Sequence, residues 1–520
     1  LDKTCIKHQC KALILRQRTP VNLNKSHLLY LLIPVLFLLI YLPAFYTDYA
    51  YLDEIHQLWH NNDHSNFTMF LTQGRWLTGL LFQKLFASIR TIAELKNLRL
   101  FSLAGWLLTT FVWAVVFKRW ITFMGFPKPL WWLGVVYVVC SISVTVYIGW
   151  ASCMQVFIAV LAGLLSGHFL YLHLQKQAPS TLLSAVILSA SVLLGVLSLF
   201  TYQTAFGAFL LPFFLQYLQR KAPKPDTVVV TGILVYLAVY IVYYFLFRYS
   251  LHAYKLEAST RTAISIQVLR KLSFFFSGPL PSGFSLNLLY SSKSIFSLIL
   301  YPLAILVWVV SVFMRNRKGI GNRLLFMAIV FLLLSFIYLP GMIAAESFAS
   351  YRTLFAFNLA VFILVLEALM YWINAPKKQA VFTWVVCIAL VLSGVYTYQF
   401  QFATPLHDEY GVLKKFIATQ YKPGITHIYF IRASKQLFRA KYNTRVYQDE
   451  LGVPSTYRDW VPEPLVKQLV LEQTGKRLLA EKITVVQYES EEAFHQARPG
   501  LDSNALLLNI NALFKTTVPH

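Results

Sequence analysis

Between Leu28 and Tyr398 the chain repeats one pattern: an apolar run of about 20 residues, a short polar break, then another run. A helix of that length spans ~30 Å, the thickness of the hydrocarbon core of a bilayer. Only helices and closed barrels satisfy their backbone groups in lipid, and runs that are continuous instead of alternating exclude the barrel. Composition agrees. Hydrophobic residues make up 57% and charged residues 13%, where a soluble domain carries roughly 25% charged. The sequence therefore predicts an all-α polytopic membrane protein with about 11 transmembrane helices.

The runs lie at 28–45, 98–117, 130–147, 154–172, 182–200, 204–218, 228–247, 294–314, 324–339, 353–373 and 380–398. The first is followed by Tyr and Asp, not by a small-residue cleavage site, which predicts a permanent span. Residues 75–92 are interrupted by Lys84 and read as a helix lying in the interface. A basic arm, 1–27, precedes the first span. Lys and Arg then recur in every second loop, at 118–128, 176, 220–224, 315–323 and 377–378, while Asp48, Asp53, Glu54, Glu257 and Glu346 fall in the alternate loops. The positive-inside bias thus predicts a cytoplasmic N-terminus and an extracytoplasmic C-terminus. The net charge of +24 fits that bias, contact with membrane lipid, or a phosphate-bearing substrate. Basic residues scattered over short loops do not predict nucleic acid. Five cysteines make no disulfide framework.

Past residue 400 the charged residues return. THIYFI, KITVVQY and ALLLNI read as short buried strands among helical stretches, and roughly 115 residues suffice for a small α/β domain. The expected organisation is a basic arm (1–27), a transmembrane domain (28–400, with a large first outer loop at 46–97) and an extracytoplasmic α/β domain (401–520).

The first outer loop concentrates the chemistry. Asp53 and Glu54 are adjacent, so on a helix they point about 100° apart and one of them faces a site. A carboxylate beside a hydroxyl can take its proton as it attacks; the plainer reading is a solvated pair that sets topology. His56 and His60 fall one turn apart, as His64 does if the helix continues, a spacing that suits a divalent metal ion as cofactor or, more plainly, a polar interfacial face. Arg75 and Arg352 end apolar helices on the same predicted side. Arg suits bidentate phosphate binding, though long side chains also snorkel there. Glu346 shares a short loop with Arg352, and the two are placed to pair. Tyr202 and Gln203 can bind a sugar hydroxyl or join helices. Lys293, with Arg261, Arg270 and Lys271, is placed for substrate or headgroup contact.

The order of these features resembles the C-type glycosyltransferase superfamily (GT-C), integral membrane enzymes that use polyprenyl-phosphate-linked sugars. Within it the chain is most similar to the bacterial O-antigen glucosyltransferases of the glucosyl transferase II family. The resemblance rests on AYLDE at 50–54, GRWLTGLLF at 74–82, TYQTAFG at 201–207 and YRTLFAF at 351–357, and covers about residues 30–400. It implies an inverting transfer of a monosaccharide, glucose foremost, from polyprenyl phosphate to O-antigen of lipopolysaccharide or another envelope glycan, at the outer face of a bacterial inner membrane. In that reading Asp53 is the catalytic base, Glu54 its partner, and Arg75 and Arg352 hold the donor phosphate. A lipid-linked-sugar flippase and the enzyme that makes the donor are the expected functional partners. A flippase or transporter identity for this chain is the rival, but it needs ionisable residues at mid-membrane, where Glu367 is the main one. A glycan polymerase or ligase is the second rival.

Overall fold

The computed structural model describes residues 25–517 except 62–64, 176–180, 220–223, 266, 290–293, 316–318, 374, 448–449 and 498–502. The expected basic arm (save its end) and Lys293 lie outside the described residues.

The protein is a mainly helical, multi-pass membrane protein. Among the described residues nine helices are long and apolar enough to cross a membrane. They form two shells. Pro129–Gly149 is wholly buried and Phe355–Trp372 largely so, whereas Thr181–Thr201, Thr227–Ala253, Ser297–Met314 and Ile320–Ile337 keep most of their apolar surface outward. Leu182, Leu193, Phe245 and Ile295 are each more than half exposed. Water would penalise such a surface heavily; lipid does not.

Two expected spans take other forms. The run at 28–45 is a helix, Lys25–Tyr41, closed by a 3₁₀ turn, Leu42–Phe45. The run at 204–218 is a 3₁₀ segment, Gln203–Leu210, leading into a short helix, Leu211–Leu218. At about 2.0 and 1.5 Å per residue that pair still covers roughly 28 Å. Its seat is a glycine groove on Val156–Leu174. A Cβ on Gly167 would stand 2.2 Å from the Phe209 carbonyl oxygen, and one on Gly163 would stand 3.3 Å from that of Ala205. Glycines four apart let the backbones touch.

The central span is broken at Ser141, between Pro129–Cys140 and Ile142–Gly149. A break exposes backbone groups, which lipid would not tolerate. Asn287 supplies both lost partners: its Nδ2 donates to the Cys140 carbonyl at 2.8 Å, and its Oδ1 accepts from the Ile142 N–H at 2.9 Å.

The last spanning helix, Pro376–Val395, does not stop at residue 400. It passes through a π-turn, Tyr396–Ala403, into Thr404–Gln420, so the boundary expected at 401 falls inside a continuous helix. Beyond it three parallel strands, β1 (His427–Ile431), β2 (Thr484–Tyr488) and β3 (Ala505–Asn509), form one sheet in the order β2-β1-β3. They coincide with the three expected strands. β1 is central because its Ile428, Phe430 and Ile431 are buried, with helices such as Pro462–Thr474 connecting the parallel neighbours.

Candidate functional site

The segment 46–78, apart from 62–64, is folded against the ends of the helices at one pole of the bundle. The Tyr49 hydroxyl donates to the Gly149 carbonyl at 2.9 Å, and Thr78 Oγ1 donates to that of Thr201 at 2.6 Å. Asp53 and Glu54 open a short helix, Asp53–Trp59. The residue before it, Leu52, has φ +47, a conformation costly for a branched side chain and therefore held from outside. The clamp is Ser455, whose Oγ accepts the Leu52 N–H at 2.8 Å. Ser455 is fixed in turn by Glu409, which accepts the N–H of Ser455 at 2.8 Å and of Thr456 at 3.0 Å.

The adjacent carboxylates part as helical spacing predicts. Glu54 is fully buried. Oε2 lies 2.5 Å from Arg99 Nη2 and accepts the Tyr51 N–H at 2.8 Å, while Oε1 accepts the Ala151 N–H. Arg99 also donates to the Tyr49 and Gly149 carbonyls, at 2.7 and 3.1 Å. Glu54 therefore faces inward and ties the loop to the spanning helices; it does not face the site beside Asp53. Asp53 is half-buried, and its carboxylate makes no hydrogen bond or ion pair to any described residue. Arg352 and Cys153 feel its charge.

Two arginines lie in this region, one hydrogen-bonded and one ion-paired at Nε. Arg75 donates through Nε to Gln203 Oε1 at 3.0 Å, and its guanidinium lies 4.7 Å from the Tyr202 ring centroid. Arg352 presents Nε to Glu450 Oε1 at 3.0 Å, with its guanidinium 4.5 Å from the Trp150 ring centroid. In both, the Nη edge makes no hydrogen bond among the described residues. The two guanidiniums repel each other, so an anion between them would be stabilised by both. Burial pushes the Tyr202 phenol up to about 12 against the pull of both arginines, so it stays protonated at neutral pH. Burial also raises the Glu450 carboxyl, opposed by Arg352 and by hydrogen bonds.

Gln203 is the anchor of Arg75. Its Nε2 donates to the Gln73 carbonyl at 2.7 Å and to the Tyr243 hydroxyl at 3.0 Å, and that hydroxyl donates to the Gly74 carbonyl at 3.0 Å. Gln203 therefore works through Arg75.

Other expected residues stand apart. Glu346 does not pair with Arg352. It is exposed and lies 3.9 Å from Arg261, because Glu450 already occupies Arg352. His56 and His60 meet with tilted rings, centroids 4.4 Å apart, but no third His, Cys, Asp or Glu joins them among the described residues; His64 lies outside these. A pair of rings one turn apart is a polar face, not a closed ligand set. Lys271 is buried and donates to the Ala345 and Glu346 carbonyls at 3.4 and 3.3 Å, which braces the loop before Arg352.

Sequence reasoning missed Arg99, Trp150, Glu450 and Ser455. Arg99 was readable as a lone charge one residue inside an expected span, which needs a partner. Glu450 and Ser455 carry no local signal, because their roles exist only once the C-terminal region docks.

No family model matches the chain, and no curated protein matches its sequence.

Proposed function

We propose that the protein is a glycosyltransferase of the C-type kind, with eleven membrane crossings. It moves a monosaccharide, glucose foremost, from polyprenyl phosphate to a lipid-linked or envelope glycan such as O-antigen at the outer face of a bacterial inner membrane. One observation carries the reading. Two guanidiniums, Arg75 hydrogen-bonded and Arg352 ion-paired through Nε and each beside an aromatic face, lie near enough to feel each other's charge, and Arg352 feels the uncommitted carboxylate of Asp53. That arrangement suits a phosphate leaving group next to a base.

The step balances. Asp53 takes the proton of the acceptor hydroxyl as that oxygen bonds to the anomeric carbon. The anomeric carbon–oxygen bond to phosphate breaks, its electron pair stays on the phosphate, and Arg75 and Arg352 stabilise the added charge. Attack from the face opposite the leaving group inverts the centre. The Tyr202 hydroxyl, protonated and close to both arginines, is placed to donate to a sugar or phosphate oxygen. The outer-face assignment draws support from charge: the pole with Asp48, Asp53, Glu257 and Glu346 lies opposite the loops carrying Lys118, Arg119, Lys128, Arg315, Lys377 and Lys378. The transporter rival loses its main residue, since Glu367 is ion-paired with Arg315 at a helix end.

The test is to incubate the purified protein with glucosyl, mannosyl and arabinosyl polyprenyl phosphates and an acceptor glycan, then measure released polyprenyl phosphate. One donor should turn over, and Asp53→Asn should lower that rate about 100-fold or more while lipid phosphate still binds. No release from any donor, or full turnover in Asp53→Asn, sinks the reading.

A further inference from the structure

The two arginines share a mode of support but differ in what supplies it. Arg75 is anchored by a neutral amide, that of Gln203, and Arg352 by a carboxylate, that of Glu450. Glu450 comes from the C-terminal region, between β1 and β2, far in sequence from the helices that carry the rest of the site. It is 2% exposed at the side chain, and it reaches Arg352 at 3.0 Å through Oε1 while Oε2 accepts the Tyr351 N–H at 2.8 Å. A buried carboxylate so engaged is expensive to desolvate, and a loop has no need of one to pair with a side chain that could otherwise extend into solvent. The backbone of Arg352 is fixed as well, its carbonyl accepting the Tyr147 hydroxyl at 2.5 Å.

We infer that Glu450 is a positioning residue of the phosphate site: it aims the Nη edge of Arg352 at the lipid phosphate and, by its own negative charge, keeps that phosphate releasable. This deepens the glycosyltransferase reading and rests on its phosphate-binding half. The chemistry has two parts with opposite signs. As an ion-pair partner 3.0 Å from Nε, Glu450 holds the guanidinium on one side, which favours binding through the other edge. As an anion next to an anion site, it offsets much of the Arg352 charge and weakens binding of a phosphate that must leave after each turnover. Arg75, with no carboxylate partner among the described residues, then supplies most of the net attraction.

Separating the two parts gives a test that a purely structural residue would not pass. Binding of undecaprenyl phosphate is measured for the full chain in nanodiscs, alongside turnover of the sugar donor. Glu450→Gln keeps the shape and an acceptor oxygen for the Tyr351 N–H and removes the charge; it should bind undecaprenyl phosphate at least threefold more tightly and turn over more slowly at saturating donor. Glu450→Ala removes both; it should bind at least tenfold more weakly, and adding Arg352→Ala to it should weaken binding no further. Opposite shifts in the two variants support the inference. Wild-type affinity in both, or equal weakening in both, overturns it. Should Glu450→Ala not fold, Glu450→Gln decides alone: tighter binding supports, unchanged or weaker binding overturns. A wild-type protein that binds no undecaprenyl phosphate overturns the inference together with the phosphate site. A protein that binds it with these shifts but transfers no sugar leaves the inference standing and removes only the transferase reading.

Discussion

At the scale of single residues, the support of Arg75 is the most exacting arrangement in the molecule. Its Nε bond to Gln203 needs Gln203 to lie against the turn at Gly74, which has φ +74. A Cβ there would meet the Tyr243 hydroxyl oxygen at 2.2 Å and Gln203 Nε2 at 3.2 Å, so the turn admits only glycine and sets the register of the arginine that follows. Lysine could keep the charge of Arg75, but it has no Nε edge for Gln203 and no fork for a phosphate. Arg75→Lys should therefore fold normally and lose affinity for undecaprenyl phosphate about tenfold or more, an effect of roughly 1.4 kcal/mol or above. Isothermal titration in detergent measures it; unchanged affinity would remove Arg75 from the phosphate site. The sequence made Arg75 and Arg352 visible, because a cation at the end of an apolar helix stands out. It could not show what aims them. Gln203 was readable only as a hydrogen-bonding side chain near a span, and Glu450 as one acid in a polar region, since a partner across the fold leaves no trace in local spacing.

Elements were more legible than contacts, and they departed from expectation where backbone, not hydropathy, decides the outcome. Apolar runs marked the spanning helices well, and short apolar runs among helical stretches marked β1, β2 and β3. The 3₁₀ segment Gln203–Leu210 and the break at Ser141 escaped, because a hydropathy window cannot distinguish an α-helix from another apolar backbone. Both are explicable afterwards: Gly163 and Gly167 form a groove that accepts a close backbone, and Asn287 replaces two lost hydrogen bonds. Asn287 itself has φ +69, a region that Asn tolerates better than most residues. Asn287→Ala would leave the Cys140 carbonyl and the Ile142 N–H without partners inside a wholly buried span. Each such group costs about 1–3 kcal/mol, so the variant should lose roughly 2–4 kcal/mol of stability after relaxation. A lower thermal midpoint in nanodiscs, with donor specificity unchanged, is the expected result. A wild-type midpoint would mean that the break is not held by Asn287.

The whole molecule is a bundle with two unlike poles, joined to its C-terminal region by one helix that runs from Pro376 to Gln420. Because that helix is continuous and Glu450 and Ser455 both reach back to the site pole, the C-terminal region and the Asp53 loop must lie on the same side of the membrane. The proposed outer side rests on charge. Moving the basic loops outward would set Lys118, Arg119, Lys128, Lys377 and Lys378 against the positive-inside bias. Exposed positions at each pole make this measurable: Glu257 and Glu346 at the site pole, Lys128 and Lys377 at the other. Cys140, Cys153 and Cys387 are buried and should not react; Cys5 and Cys10 are replaced by serine beforehand. In intact cells a membrane-impermeant maleimide should label Glu257→Cys and Glu346→Cys, and should reach Lys128→Cys and Lys377→Cys only after permeabilisation. The reverse pattern would put Asp53 and both arginines in the cytoplasm. The site would then face soluble nucleotide-sugars, and a lipid-linked donor presented outside could no longer reach Asp53.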